Sequence, residues 1–508
     1  MSYLQEIASP QKKRRSIRKV GDSAQYALLP SPALAPAPQD GLTQQQSALA
    51  NTSLNGVIQV NAYAGTGKTS SLTALAANNP SKKCLYIAYN KSAQQDAATR
   101  FGPNTRCTTV HGLAFGAVGK KYAHKLNNLR AIDIINRAQL GWNWEFAGAV
   151  LSTITAWTVS DWDQFPELPC SVEGPIYGDL NLLKEIAKVA KQVWYWMCDP
   201  KDEMPMTHDG YLKLYQLSKP RILCDLLMLD EAQDTNPVTW AIVRSQQHCP
   251  IVVVGDRYQS IYKFRGAINA MDSTNPDLSY PLTQSFRFGH RVANLASNLL
   301  RQFWLESRPV EGLGPDTTFS PPPPDQPFAL ICRTNALVFS HAVENLHAGK
   351  TLGFVGGVAN YGFDKLLDVH YLATDRNDLI KDRFIKKFDS IVDFFEYAEK
   401  SKDFEATRQL DIASEYGQSL EHLIPQIYRA AKSDLSKAEI TLTTAHRSKG
   451  MTVDHVVLAD DFPEIFSAQG KPLPEEELDR QEINLLYVAA TRARRTLALN
   501  STARQLAR

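Results

Sequence analysis

The stretch Val57-Ile58-Gln59-Val60-Asn61-Ala62-Tyr63-Ala64-Gly65-Thr66-Gly67-Lys68-Thr69-Ser70-Ser71-Leu72 decides the reading of this chain. An apolar run, a glycine-bearing turn, Gly-Lys-Thr and a helix-forming segment spell strand, loop and helix in that order. The spacing is G-x-x-x-x-G-K-[ST], with Ala62 where the first glycine would stand. Gly65 and Gly67 let backbone N–H groups close around phosphate oxygens. A helix starting near Lys68 turns its positive end toward the anion. Lys68 reaches the terminal phosphates, and the Thr69 hydroxyl can ligate Mg²⁺. Ala64, Gly65, Thr66, Gly67, Lys68, Thr69 and Ser70 are therefore the expected phosphate cradle.

Such a loop needs a strand that ends in acid. Leu226 to Leu229, followed by Asp230-Glu231-Ala232-Gln233-Asp234, supplies it. Asp230 can hold Mg²⁺, and Glu231 can orient or deprotonate an attacking water. A further apolar strand, Ile251 to Val254, runs into Gly255-Asp256-Arg257-Tyr258-Gln259-Ser260-Ile261-Tyr262-Lys263-Phe264-Arg265-Gly266-Ala267. It delivers Gln259 as a sensor of the γ-phosphate. The aromatics after it either stack on bases of a bound strand or pack as an ordinary loop.

Outward from these motifs, short apolar runs predict buried strands at Val57–Val60, Cys84–Ala88, Leu226–Leu229, Ile251–Val254, Phe328–Ile331, Ile440–Thr443, Val456–Ala459 and Thr496–Leu499. Helical patterns separate most of them, which implies α/β architecture with parallel sheets covered on both faces. The runs fall in two clusters and predict two such domains, meeting near residue 280. Residues 116–220 and 365–435 read as mainly helical insertions. The tryptophans of the first (Trp142, Trp144, Trp157, Trp162, Trp194, Trp196) are expected in a helical core, with base stacking as the alternative. Residues 1–40 read as a disordered leader, basic at Lys12 to Lys19 and proline-rich after Pro30. That basic cluster is either a solvated tail or a nuclear address or nucleic-acid arm.

Composition excludes several classes. No apolar run reaches the roughly 18–20 residues of a membrane helix, and the start of the chain carries no secretory h-region. The formal net charge is +2, and residues 1–40 account for +3 of it, so the remainder is nearly balanced. Nucleic acid would have to be held by a local groove and not by a global basic field. Seven cysteines stand scattered, without a C-x-x-C pair. Neither a disulfide scaffold nor a cysteine zinc site is expected, and a reducing compartment is.

Taken together, the ordered motifs resemble those of superfamily 1A helicases of the UvrD/PcrA/Rep type, and most of all the helicase portion of the F-box DNA helicases and their bacterial and phage relatives. The resemblance spans about Leu42 to Arg495. Leu42-Thr43-Gln44-Gln45-Gln46 is similar to the family's upstream Q motif, and Asp230 to Asp234 to its D-E-[AF]-Q-D signature. Gly255-Asp256, Gln259-Ser260-Ile261-Tyr262 and Arg265-Gly266-Ala267 fit one long string. Gln284-Ser285-Phe286-Arg287, Thr443 to Gly450 and Leu486-Tyr487-Val488-Ala489-Ala490-Thr491-Arg492-Ala493-Arg494 complete the series. The chain departs from the family at Thr452, where a ribose-contacting Glu usually stands, and at Ala88, where a base-contacting Phe is usual and Tyr89 is adjacent. Only tail-like sequence precedes the motifs, so no F-box is expected.

The resemblance implies two RecA-like P-loop domains, the first from 41–115 and 221–280, the second from 281–364 and 436–508. It implies Gln46 on the adenine edge, Phe286 stacked on adenine, Arg287 at the γ-phosphate and Arg492 as an arginine finger. It implies ATP and Mg²⁺ as cofactors and single-stranded DNA, including single-strand/duplex junctions, as partner. Tyr89, Asn90, Thr109, His111, Tyr262, Phe264, Arg265 and His446 would face the DNA, with coupling or packing as the other role open to His111 and His446. The expected activity is DNA unwinding or translocation in the 3′-to-5′ direction, in repair, recombination or genome defence. Other outputs are a translocase that strips proteins from DNA, or a DNA-sensing ATPase subunit beside a partner such as a nuclease. The expected place is the bacterial or phage-host cytoplasm, or a eukaryotic nucleus.

Overall fold

The computed structural model describes residues 41–139, 143–263, 266–401 and 403–507. The leader and Trp142 lie outside the described residues, as do Phe264 and Arg265. The sheets are built from β1 (Val57–Ala62), β2 (Cys84–Ala88), β3 (Thr105–Thr109), β4 (Leu226–Leu229), β5 (Ile251–Gly255), β6 (Leu278–Leu282), β7 (Phe328–Cys332), β8 (Leu352–Phe354), β9 (Ile440–Thr444), β10 (Val453–Leu458) and β11 (Ala493–Ala498). Among the described residues they form a six-stranded sheet in the order β3-β2-β4-β5-β1-β6 and a five-stranded sheet in the order β8-β9-β7-β10-β11. Every pairing in both is parallel. These are two RecA-like α/β units.

The strand sequences explain the burial. Along β2, β4 and β5, Leu85, Ile87, Leu227, Leu229, Ile251 and Val253 enter one apolar cluster. Their alternates Cys84, Tyr86, Leu226, Met228, Val252 and Val254 enter another on the opposite face. Both faces are dry, so the strands read as unbroken apolar runs. The three strands that such runs do not announce are short or at a sheet edge. β3 is the polar Thr-Arg-Cys-Thr-Thr, β6 carries Pro281 and lies at the edge beside β1, and β8 has three residues at the other sheet's edge. Proline is tolerated where no ladder partner is needed. β6 straddles residue 280, so the first sheet runs two residues past the boundary expected there.

The helices that matter for the site are α1 (Gln44–Ala50), α2 (Lys68–Ala77), α3 (Lys91–Arg100), α4 (Val110–Ala117), α5 (Trp144–Val159), α6 (Leu180–Cys198), α7 (His208–Leu217), α8 (Pro237–Arg244), α9 (His290–Trp304) and α10 (Arg480–Ala490). α5, α6 and α7 belong to the insertion at 116–220. Their core residues Trp157, Val193, Trp194 and Leu212 lie in the same cluster as Leu85 and Leu227 of the sheet. The insertion is thus fused to the sheet face and is not a separate lobe. Trp157 and Trp194 meet edge to face, with ring centroids 6.0 Å apart, while Trp162 is exposed. The second insertion splits: Val369, Ile385 and Phe394 make a small core of their own, and Leu420, Ile424 and Ile427 join the face of the second sheet. Among the described residues no helix is long and apolar enough to cross a membrane.

One buried cation locks the first insertion. Lys213 of α7 is fully buried, donates to the carbonyls of Ser160 (3.0 Å) and Trp162, and lies 3.9 Å from the Trp157 ring centroid. Burial pulls its ammonium down to about 8, and Asp161 and Asp163 only partly oppose the shift. Lys213→Met should leave those acceptors without a donor at the end of α5 and cost about 1–3 kcal/mol. The check is a lower thermal or urea midpoint with unchanged circular dichroism at low temperature.

Candidate active site

The loop between β1 and α2 takes its shape from two glycines, Gly65 and Gly67, both at φ +76°. That conformation strains any residue with a Cβ. Space forbids one as well. A Cβ on Gly65 would lie 2.7 Å from Arg287 Cβ and from Ser285 Oγ, and one on Gly67 would lie 2.8 Å from Gln46 Nε2 and 3.8 Å from the Phe286 ring. Gln46 is placed by a capping box: Thr43 N donates to its Oε1 (3.0 Å) while its own N donates to Thr43 Oγ1 (3.2 Å). Its Nε2 then donates to Thr66 O at 3.1 Å. Phe286 N donates to Gly65 O at 2.9 Å. Gln46 and Phe286, far apart in sequence, thus flank Gly67. The Thr66 hydroxyl donates to Tyr63 O at 2.9 Å, and Ser70 is exposed on the first turn of α2.

The acids arrive at the carboxyl end of β4. Lys68 Nζ pairs with Glu231 Oε1 at 2.9 Å, their side chains 14% and 30% exposed. Glu231 sits at φ +50°, a conformation that costs about 1–3 kcal/mol for a non-glycine residue. Asp230 Oδ1 accepts Glu231 N at 2.8 Å, and Oδ2 accepts the Tyr86 hydroxyl. The Thr69 hydroxyl, on the first turn of α2, and the Asp230 carboxylate are the groups expected at a Mg²⁺. They are hard oxygen donors, as that ion requires. Burial raises the Asp230 carboxyl, and the charge of Glu231 adds to the rise. Glu231 goes the other way. Burial would raise it, but the ammoniums of Lys68 and Lys449 hold it at about 2. Burial lowers the Lys68 ammonium less than Glu231, Asp230 and Asp256 raise it, leaving it above its usual value.

The far wall comes from the second sheet's unit. Tyr487 of α10 is fully buried; its hydroxyl accepts Ala64 N of the loop (3.2 Å) and donates to Asp256 Oδ2 (3.1 Å). The same Asp256 oxygen accepts Gln259 Nε2 at 2.7 Å. Lys449 donates to Asp234 Oδ2 and to the carbonyl of Gln259. Asp234 is nonetheless pushed up to about 6, because burial outweighs Lys449. Arg287 donates to Thr491 O at 3.1 Å, and its Nε is buried without a partner. Arg492, 1% exposed, donates to Val488 O (2.7 Å), Met451 O (3.2 Å) and Thr491 Oγ1 (3.0 Å). Neither arginine makes an ion pair among the described residues. Burial lowers Arg287 to about 10; burial, and after it the charge of Arg287, lowers Arg492 well below the guanidinium range. A buried cation without a counter-ion, as at Arg492, costs several kcal/mol unless an anion joins it. A glycine cradle, a lysine and these two guanidiniums fit a polyphosphate.

Of the expected nucleic-acid residues, Tyr89, Asn90, Thr109, His111, Tyr262 and His446 are among the described residues. Tyr89, 43% exposed, faces Tyr262 with ring planes 9° apart and centroids separated by 6.2 Å. The Tyr262 hydroxyl donates to His446 O at 3.3 Å, and Lys449 lies 5.1 Å from the Tyr262 ring centroid. Asn90 and Thr109 cap α3 and α4: Asn90 Oδ1 accepts Ala93 N at 2.8 Å and Thr109 Oγ1 accepts Gly112 N at 3.0 Å. His111 Nε2 lies 3.1 Å from Asp209 Oδ1. Sequence reasoning missed Tyr86, Asp256, Lys449 and Tyr487 as site residues. The last three stand inside the quoted motif strings, and only the fold reveals their partners.

Family models match two segments of the chain: an AAA domain over residues 45–265 and the UvrD-like helicase C-terminal domain over residues 362–504. F-box DNA helicase 1 of Gallus gallus is 30% identical over 92% of this chain and 49% of its own length. F-box DNA helicase protein 1 of Schizosaccharomyces pombe is 31% identical over 92% of this chain and 58% of its own length. The chain therefore spans about half the length of the curated relatives it matches.

Gly65→Ala tests the cradle. A nucleoside triphosphate at a hundredfold excess over its Kd should stabilise the wild-type chain by about 2.7 kcal/mol. In the variant the midpoint without nucleotide should fall, because the left-handed backbone and the contacts with Arg287 and Ser285 strain the loop, and the further rise on adding nucleotide should vanish. An equal rise in both proteins would separate the loop from phosphate binding.

Proposed function

The chain belongs to the UvrD-like superfamily 1 of ATP-dependent DNA helicases, and on that premise we propose that it is itself an ATP-driven motor on single-stranded DNA. The observation that supports this reading is the composition of the phosphate pocket. Lys68, Glu231 and Gln259 stand on one wall, and Arg287, Arg492 and Tyr487 on the other.

In this reading Lys68 binds the terminal phosphates and Gln259 senses the last of them. Once phosphate oxygens take up Lys68, Glu231 loses its closest cation. Its partly buried carboxylate then becomes basic enough to accept a proton from the attacking water. Thr69 and Asp230 would hold Mg²⁺, which when bound neutralises phosphate charge. Gln46 and Phe286 take the adenine. Arg287 and Arg492 meet charge on the γ-phosphate, so hydrolysis needs both walls in place and product release lets them part. Alternate grip by the two units then moves the chain along DNA. Tyr89 and Tyr262 offer faces to bases, Asn90, Thr109, His111 and His446 would face the same strand, as would Phe264 and Arg265 by the resemblance of their motif, and grip of this kind reads backbone and stacking, not sequence. The direction that goes with this reading is 3′-to-5′, the preferred site a single-strand/duplex junction, and the setting repair, recombination or genome defence. The work is done wherever the DNA lies, in a nucleus or a bacterial cytoplasm.

Lys68→Ala, Glu231→Gln and Arg492→Ala should each abolish DNA-stimulated ATP hydrolysis, Arg492→Ala by about 10³–10⁵-fold. Wild-type turnover in Arg492→Ala removes the finger role. Rates measured with single-stranded DNA, duplex DNA and RNA should rank single-stranded DNA first. Strand displacement run beside displacement of a DNA-bound protein separates an unwinding motor from one that only clears proteins. Full stimulation with neither output would favour a sensing subunit whose ATPase serves a partner.

A further inference from the structure

Two segments remote from the phosphate pocket carry sulfur and imidazole: Ile222-Leu223-Cys224-Asp225, just before β4, and Gln246-Gln247-His248-Cys249-Pro250, between α8 and β5. No short cysteine spacing announces them in sequence. Parallel pairing of β4 with β5, which sets Leu227 opposite Ile251, brings their starts together.

The result is a compact donor set. Cys224 Sγ and Cys249 Sγ lie 3.8 Å apart, both cysteines are buried, and neither is in a disulfide. A ring nitrogen of exposed His248 lies within 4.8 Å of both sulfurs. Two thiolates bound to one tetrahedral Zn²⁺ at about 2.3 Å stand about 3.8 Å apart, so the sulfurs already hold the chelating separation. His248 Nε2 lies 2.9 Å from Ile222 O. Donation to that carbonyl orients the ring and leaves Nδ1 with its lone pair, as outer-shell partners of metal-bound imidazoles do.

The support around the donors is rigid. Gln246, 1% exposed, accepts Ile222 N at 2.8 Å and donates to Pro220 O (2.8 Å), Ile242 O (2.9 Å) and Ser245 Oγ (2.9 Å). One amide therefore ties together the two segments that bear the ligands, and the set needs little ordering to bind an ion.

We propose that Cys224, Cys249 and His248 bind a thiophilic divalent cation of the zinc class, with a fourth position left to water. Binding displaces the two thiol protons and changes no oxidation state. The ion clamps the amino ends of β4 and β5, whose carboxyl ends carry Asp230 and lead to Gln259, so its role is to hold those two strands in register from the side away from the nucleotide.

The test uses the full-length chain without an affinity tag, kept reduced with a non-chelating reductant, and titrates Zn²⁺ against a chromophoric chelator. One equivalent per chain is expected, with a thiolate-to-metal charge-transfer band when Co²⁺ replaces Zn²⁺ and a higher melting midpoint with either ion. The double variant Cys224→Ser/Cys249→Ser should lose the band and the stabilisation. His248→Ala, at an exposed position that folding tolerates, should weaken binding at least about tenfold. Cys107→Ser should bind as the wild type does. Substoichiometric binding, Co²⁺ uptake without the thiolate band, affinity unchanged in His248→Ala, or recovery of Cys224 and Cys249 as a disulfide under these conditions would each overturn the proposal.

Discussion

Arg492 is buried and Arg287 partly buried; among the described residues neither makes an ion pair, and the charge of Arg287 depresses Arg492. A fold tolerates that only if the arrangement is completed by something negative or repaid elsewhere. The surrounding chemistry indicates which. The anionic oxygens of Asp230, Glu231 and Asp256 face them across a space lined by Lys68 and a loop whose two glycines permit backbone to approach an anion. The electrostatics of the protein alone thus suit an anion between the walls.

Holding such a site demands that its walls be rigid yet separable. Rigidity comes from strands buried on both faces, each ending at the same edge of its sheet. Separability follows from what joins the walls. Tyr63, Tyr258 and Ile261 from the first unit share an apolar cluster with Phe288, Leu486 and Tyr487 from the second, and polar links cross as well, among them Tyr487 to Ala64 and Asp256, Lys449 to Asp234 and Gln259, Asn484 to Ser260, Tyr262 to His446, Phe286 to Gly65, Tyr63 to Arg308 and Tyr258 to Glu306. Apolar contact is non-directional and can slide or open. The polar links cannot be kept when the walls part, so they register whether the pocket is closed.

The sheets were largely legible in the sequence because their central strands are apolar without interruption. The edges were not: Thr105–Thr109 and Leu278–Leu282 have a wetter side, so nothing in their composition sets them apart from loops. The same logic governs the site. Residues expected at the phosphates, such as Lys68 and Thr69, sit in a spacing that chemistry dictates and could be read off. Tyr487 and Lys449 act through partners hundreds of positions away, and their polar atoms gain meaning only once α10 and the segment after β9 lie against the loop. Cys224 and Cys249 show this most sharply, since their scatter argued against a shared site until strand pairing set them side by side.

The chain from pocket to track can be followed atom by atom. Asp256 accepts both Gln259 and Tyr487 on one oxygen, so a shift of Gln259 away from it would leave that oxygen to the tyrosine from the opposite wall. The carbonyl of Gln259 is in turn held by Lys449, which lies against the ring of Tyr262, and Tyr262 stacks on Tyr89 and reaches His446. Loss of the γ-phosphate would therefore not stay local. A change at Gln259 would reach the Tyr262–Tyr89 pair through one hydrogen bond, from Lys449 to its carbonyl, and one cation over a ring. That is a short physical route, because each link is a direct contact and none depends on propagation through a deformable core.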